Sequence, residues 1–295
     1  MKRVLTAVVL IPVVLAILFL APTWLFIACL GVIAILATRE YLHIGELHGC
    51  LVFDRTILIL TAIGFAAGAL ASTLTGGDDP SGPFVAAFLV FFLAAPFLLL
   101  VVALREPDLR RALPGAALSY FSFYYVGLPL ASLQVLREVS GHGAFFVMVL
   151  LITVWVGDIA AFYVGVNFGR HKLAPVISPG KTWEGTLASF LAATAACWAL
   201  LHWVGPRIPL FRASSSEQLV APPVFVALGI GASINVAAQL GDLVESMMKR
   251  GAGIKDSGSL LPGHGGVLDR IDALLFAAPV AMLLFILARD FCLQY

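Results

Sequence analysis

The chain has 295 residues, of which 61% are hydrophobic and 12% charged, with a mean hydropathy of +1.01. A soluble globule carries about a quarter of its residues as charges, so the composition excludes one and predicts an integral membrane protein. The net charge of +1 singles out no partner, because in a membrane protein the placement of charge matters more than its sum.

Apolar runs near the roughly 20 residues that a bilayer demands lie at 4–22, 23–42, 56–75, 84–104, 113–136, 144–167, 183–205, 223–248 and 271–290. They predict an all-α, polytopic bundle of about nine transmembrane helices. The first run follows Lys2 and Arg3 and resembles a signal peptide, but it is long, no A-x-A site follows it and further spans come directly after, so it is read as retained. Breaks at Ala21–Trp24 and at Gly127–Pro129 are open, because Pro and Gly are tolerated inside membrane helices. The division expected is an N-terminal part, 1–143, with about five spans, and a catalytic part, 144–295, with about four spans and polar loops at 168–182 and 249–270.

With the N-terminus inside, all 18 Lys and Arg residues except Arg137, Arg207, Arg212 and Arg289 fall on the inner side. That bias follows the positive-inside rule and predicts a multi-pass protein of the cell membrane with both polar loops cytoplasmic. Cys29, Cys50, Cys197 and Cys292 form no C-x-x-C pair and sit in or beside apolar runs, so they are read as small core residues.

The eighth span has one polar face. Asn235, Gln239, Asp242, Glu245, Ser246 and Lys249 gather within about one third of the helix circumference at 100° per residue. For Asn235 and Gln239, a seam satisfied by neighbouring helices is as good a reading as function. A carboxylate such as Asp242 near a membrane usually marks a site. The ninth span opens with Asp269 and Asp272, which share a face at i, i+3. Between these helices lie six glycines, including Gly265 and Gly266, with Lys249, Arg250, Lys255, Asp256, His264 and Arg270. An ordinary inner loop explains the cations but not the clustered aspartates.

Aspartate oxygens suit a hard cation such as Mg²⁺, which takes one or two carboxylates and fills its shell with water and phosphate oxygens. The cations suit phosphates, so phosphoryl or nucleotidyl transfer is the chemistry best served. Zinc is not supported: His43 and His48 lack the H-E-x-x-H pattern. A second polar stretch runs from Trp155 to Gly185, with Asp158 inside an apolar helix. Its Gly180-Lys181-Thr182 is not a Walker loop, because Pro175 stands where the first glycine would be and no strand is expected before it. Ser178, Pro179 and Thr182 are read as turn and helix-cap chemistry, leaving Lys181 and Glu184 to face the site. Lys181 as a plain inner-side charge is the rival reading.

The pattern Ser246-x2-Lys249-Arg250-x4-Lys255-Asp256-x-Gly258-x2-Leu261-Pro262-x-His264-Gly265-Gly266-x2-Asp269-Arg270-x-Asp272 resembles the signature of phosphatidate cytidylyltransferases, the CDP-diacylglycerol synthases. The "GDIAAFYVG" and "SPGKTWEG" segments are similar to that family's, with Ala160 and Phe162 where Gly and Tyr are frequent. The resemblance lies in the C-terminal half. It implies a multi-span helical enzyme that uses Mg²⁺ to turn CTP and phosphatidate into CDP-diacylglycerol and diphosphate, with the number of metal ions left open. On it, Asp242 and Asp269 are expected to hold the metal, and Lys249, Arg250, Lys255 and Arg270 to neutralise phosphate. His264 is assigned to hydrogen bonding or proton supply, and Gly265 and Gly266 to backbone approach. Asp158, Asp256 and Asp272 are secondary candidates, with Ser178, Lys181, Thr182, Glu184 and Ser246 toward substrate. The lipid bilayer is the expected setting, no nucleic acid is expected, and a homodimer enters on the resemblance alone.

A transporter with broken, glycine-rich helices is the competing class, but the polar groups cluster toward one face and no inverted repeat is visible. A CDP-alcohol phosphotransferase would show D-G-x-x-A-R, which does not occur.

Overall fold

The structure, a computed structural model, describes residues 2–74, 81–138, 142–207, 218–260 and 265–294. Helices α1 (Lys2–Leu20), α2 (Thr23–Leu47), α3 (Asp54–Leu74) and α4 (Ser81–Ala103) follow the first four apolar runs. Helix α5 (Leu109–Ser122) continues through a π turn at Phe123–Gly127 into α6 (Leu128–Arg137). Then come α7 (Gly143–Phe168), α8 (Trp183–Ala199) with a π turn at Leu200–Val204, α9 (Val224–Gly251), α10 (Leu268–Leu287) and the short α11 (Arg289–Cys292). Among the described residues eight helical spans are long and apolar enough to cross a membrane. With α1 ahead of them, they track the nine expected runs.

The two uncertain boundaries resolve differently. Pro22 stands at the N-cap of α2 in extended backbone, so Ala21–Trp24 is a true break. At Gly127–Pro129 the helix persists: Leu128 N–H reaches back to Phe123 O. Proline has no N–H to donate, and the wider π turn lies immediately before Pro129. The all-α expectation holds apart from two short antiparallel pairs. The 168–182 loop contains a hairpin of β1 (Lys172–Ala174) and β2 (Ser178–Thr182), with Lys172 opposite Thr182 and Ala174 opposite Ser178. Strands β3 (Gln218–Leu219) and β4 (Leu293–Gln294) pair likewise. The 249–270 loop is shorter than expected, because α9 runs to Gly251 and α10 starts at Leu268, which puts Lys249, Arg250, Asp269 and Arg270 on helix ends.

The chain divides into two compact units, one of residues 1–134 and 248–271, the other of 135–247 and 272–295. In the first unit, glycines let helices approach. A Cβ on Gly45 would stand 2.7 Å from Leu118 Cδ2, the close backbone approach that membrane helices use for packing. Phe65, Phe84, Phe88 and Phe92 form a run of ring contacts joining α3 and α4. The Tyr120 hydroxyl donates to Phe92 O at 2.9 Å, so its polar end is satisfied within the apolar mass. In the second unit, Phe146 stacks on Phe285 at 4.5 Å between centroids, and a Cβ on Gly231 would meet Cys197 Cβ at 2.7 Å.

Phe97 is 70% exposed, Val90 65% and Val101 62% on α4. Such apolar surface belongs in lipid, and the protein is an integral membrane protein. Cys197 and Cys292 are buried as expected, but Cys50 is exposed, because α2 ends at Leu47 and the turn after it lies outside the packing.

Candidate active site

The predicted residues fall into two clusters, one in each unit. In the first unit the C-terminus of α9 ends in a Schellman motif: Ile254 N–H bonds to Lys249 O and Gly253 N–H to Arg250 O, both at 3.0 Å. Gly253 has φ +73, a conformation glycine adopts without steric cost. The Arg250 guanidinium donates back to Ile254 O at 2.9 Å. The chain leaves α9 with Lys255 and Asp256 exposed and Ser257 buried.

Asp269, in the first turn of α10, is the centre of this cluster. Its Oδ1 lies 2.5 Å from Lys249 Nζ, and its Oδ2 accepts from Ser257 N–H at 2.9 Å and Gly266 N–H at 2.7 Å. The side chains of the ion pair are only 10% and 7% exposed. Buried charges must be paired and hydrogen-bonded to be tolerated, and here they are. Lys249, expected to neutralise substrate phosphate, therefore spends its charge first on Asp269, whereas Arg250, Lys255 and Arg270 are exposed.

Glu40 on α2 was not foreseen. Its carboxylate accepts from Ser257 Oγ at 2.8 Å, Val267 N–H at 3.0 Å and Leu268 N–H at 2.8 Å. A Cβ on Gly258 would stand 2.6 Å from Glu40 Oε1, one on Gly266 would collide with Glu40 and Ser257, and one on Gly265 with Asp269. The close approach these glycines permit is, within the structure, to protein carboxylates. The one available signal was a carboxylate at the end of an apolar run, where charge is costly. His264 lies outside the described residues.

In the second unit, the polar face of α9 meets the start of α8. Asn235 Nδ2 donates to Ser189 Oγ at 2.9 Å, and Gln239 Nε2 reaches Asn235 Oδ1 and, at 3.4 Å, Thr186 O. These two form the satisfied seam that was one of the open readings. Gly157 lies against them, where a Cβ would stand 2.7 Å from Asn235 Nδ2.

Farther along α9, Asp242 Oδ2 pairs with Lys181 Nζ at 2.8 Å and its Oδ1 accepts from Ser246 Oγ at 3.4 Å. Asp158 on α7 lies close enough to feel both the Asp242 and the Lys181 charges. Lys181 pairs directly with Asp242, and its charge also reaches Asp158. Thr182 caps α8, its Oγ accepting from Gly185 N–H at 3.1 Å, as its sequence position suggested. Glu184, in the first turn of α8, binds His171, with 2.7 Å between Oε1 and Nδ1 and a backbone N–H bond at 3.2 Å. A negative charge there also suits the helix dipole. Ser178 lies on β2, and Asp272 and Glu245 lie on α10 and α9, the latter fully buried.

Among the described residues no three His, Cys, Asp or Glu side chains surround a common point, so no all-protein metal cage exists there. A hard dication needs less: one or two carboxylates, with water and phosphate for the rest. Asp242 with Asp158 carries excess negative charge that one lysine does not balance, and Asp269 Oδ1 has a second lone pair. Both carboxylate groups fit a Mg²⁺ ligand chemically.

The chain matches the cytidylyltransferase family over residues 1–288. The chain belongs to that family. It is 32% identical to a phosphatidate cytidylyltransferase of Haemophilus influenzae, over 94% of this chain and 96% of that one. It is 31% identical to one of Staphylococcus aureus strain COL, over 96% and 98%. The match runs through α1 to α6 as well as the C-terminal motifs, so family membership takes in the helix that carries Glu40.

Proposed function

We propose that this protein is itself a phosphatidate cytidylyltransferase, joining CTP and phosphatidate to give CDP-diacylglycerol and diphosphate. The observation that carries this reading is the near full-length likeness to chains of that name. The exposed cations on the glycine-rich segment support it. A phosphatidate oxygen bonds to the α-phosphorus of CTP as the bond from that phosphorus to the bridging oxygen breaks, and diphosphate leaves with the electron pair. The attacking phosphate is already anionic near neutral pH, so the chief obstacle is bringing together two anions rather than removing a proton.

Arg250, Lys255 and Arg270 are the side chains assigned to phosphate oxygens, an electrostatic role that gains strength where water is excluded. Asp269 and Lys249 hold the segment's ends. Mg²⁺ when bound would supply positive charge to the phosphate oxygens of CTP. Asp242, supported by Asp158, is the carboxylate assigned to it. The proposal is tested by incubating purified protein with labelled CTP, phosphatidate and Mg²⁺. CDP-diacylglycerol and diphosphate in equal amounts are expected, and no CDP-lipid from active-range protein concentrations would overturn it.

The setting proposed is the cytoplasmic membrane, with the 168–182 hairpin and the segment after α9 facing the cytoplasm. The support is the inner-side bias of Lys and Arg. Cysteines placed at Val176, Ser259 and Arg207, all exposed, are expected to react with an impermeant thiol reagent as two inner positions and one outer. Labelling of Val176→Cys and Ser259→Cys from opposite sides of sealed vesicles would refute this topology.

A further inference from the structure

We propose that Glu40 is a positioning residue for catalysis: from α2 it clamps the glycine-rich segment that carries Lys255, Asp256 and Asp269. The inference rests on the reaction proposed above for its kinetic part and on geometry alone for the rest.

Among the described residues, three donors reach the Glu40 carboxylate, all from this segment and its junction with α10, more than 200 residues away in sequence. They lie on both sides of residues 261–264: Ser257 before, Val267 and Leu268 after. Ser257 joins the two carboxylates of the cluster, giving its hydroxyl to Glu40 and its N–H to Asp269. The N–H groups of Gly266 and Val267, which lead into α10, and of Leu268, its first residue, are thus divided between Asp269 and Glu40. Helix N-termini ordinarily attract phosphate through such free N–H groups. Here the protein's own carboxylates take Leu268 N–H and the two N–H groups just before it, so those donors are not open to a substrate anion.

A second contact supports the same role for α2. His48 Nε2 lies 3.1 Å from Met248 O, and a Cβ on Gly251 would press on the His48 ring. The C-terminal part of α2 and its cap therefore touch the last turn of α9, through His48, and the entry to α10, through Glu40. The bland alternative is an acid near a membrane that takes whatever donors it finds. That alternative does not account for Gly258 and Gly266, whose missing side chains make room for the Glu40 carboxylate.

Glutamine at position 40 keeps one acceptor oxygen but turns an NH₂ toward backbone N–H donors, while alanine removes the clamp. Misplacing groups by about 1 Å can cost about 100-fold in rate. Glu40→Ala is expected to lower kcat about 100-fold and Glu40→Gln about 10-fold, with the CTP KM changed less than kcat. The independent readout is limited trypsin digestion of the full chain in detergent, with the products located by mass spectrometry. Cleavage after Arg250 and Lys255 should quicken at least 10-fold in Glu40→Ala, while cleavage after Arg170 and Lys172, in the other unit, keeps its wild-type rate. Equal acceleration at both places would mean general destabilisation and would overturn the clamp. Unchanged cleavage would do the same, and wild-type kcat in both variants would overturn the positioning role. If the wild type forms no CDP-lipid, the proposed reaction fails, and the digestion pattern still decides the clamp.

Discussion

Asp269→Asn is expected to reduce CDP-lipid formation at least 100-fold and to destabilise the protein measurably. An asparagine can present its one oxygen either to the Lys249 ammonium, now on Oδ1 of the aspartate, or to the two N–H groups of Ser257 and Gly266, both now on Oδ2. Its NH₂ then faces donors on the other side. Breaking a buried ion pair from one side costs about 3–5 kcal/mol, because the remaining charge is left unpaired, and this pair is almost wholly buried. Lys249→Met leaves the opposite charge stranded and should destabilise by a similar amount. The double variant, Lys249→Met with Asp269→Asn, strands neither charge. Its thermal unfolding in detergent should recover part of the loss, while activity stays low because the two backbone donors still lack their carboxylate. Full activity in the double variant would reduce Asp269 to a mere counter-ion, and activity within threefold of wild type in Asp269→Asn would remove it from the site.

The helices were legible because lipid imposes a length: the nine apolar runs and the observed elements agree to within a few residues at most ends. The polar face of α9 was legible for a related reason, since the helical period alone puts Asn235, Gln239 and Asp242 on one side. Local chemistry also foretold the Thr182 cap. What the sequence hid were partnerships across distance. Lys249 looked like a phosphate cation because nothing local says that the chain returns, 20 residues on, to set Asp269 against it. Glu40 was invisible for the same reason: among Arg39, His43 and Glu46 in the last turns of α2 nothing local sets it apart, and its donors lie more than 200 residues away. The short hairpin at 172–182 escaped because strands of three and five residues offer too few alternations to show a period of two.

Asp242→Asn is expected to keep the fold and lose the chemistry, whereas Asp269→Asn loses some of both. Its partner Lys181 is 24% exposed and Asp242 itself 37%, and an ion pair so open to solvent contributes only about 0–1 kcal/mol. Thermal unfolding should therefore hardly change. The remaining Asp158 is relieved of a like charge by the substitution, which further protects the fold. Activity is another matter. Asparagine keeps the shape and one carbonyl oxygen, but it removes the charge that competes with water for a hard dication. Changes one shell out from a metal typically cost about 10- to 100-fold, so loss of a direct carboxylate should cost at least that. The Mg²⁺ concentration giving half-maximal rate should rise. Lys181→Ala separates this from simple ion pairing: it breaks the same pair but leaves the carboxylate, so its Mg²⁺ half-point should stay at or below the wild-type value even if its rate falls. CDP-lipid formation measured across a Mg²⁺ titration, with size-exclusion in detergent as the check on folding, decides between them. If Asp242→Asn keeps near-normal activity and an unshifted Mg²⁺ curve, the role of Asp242 ends at Lys181, and the metal assignment passes to Asp158 or Asp269.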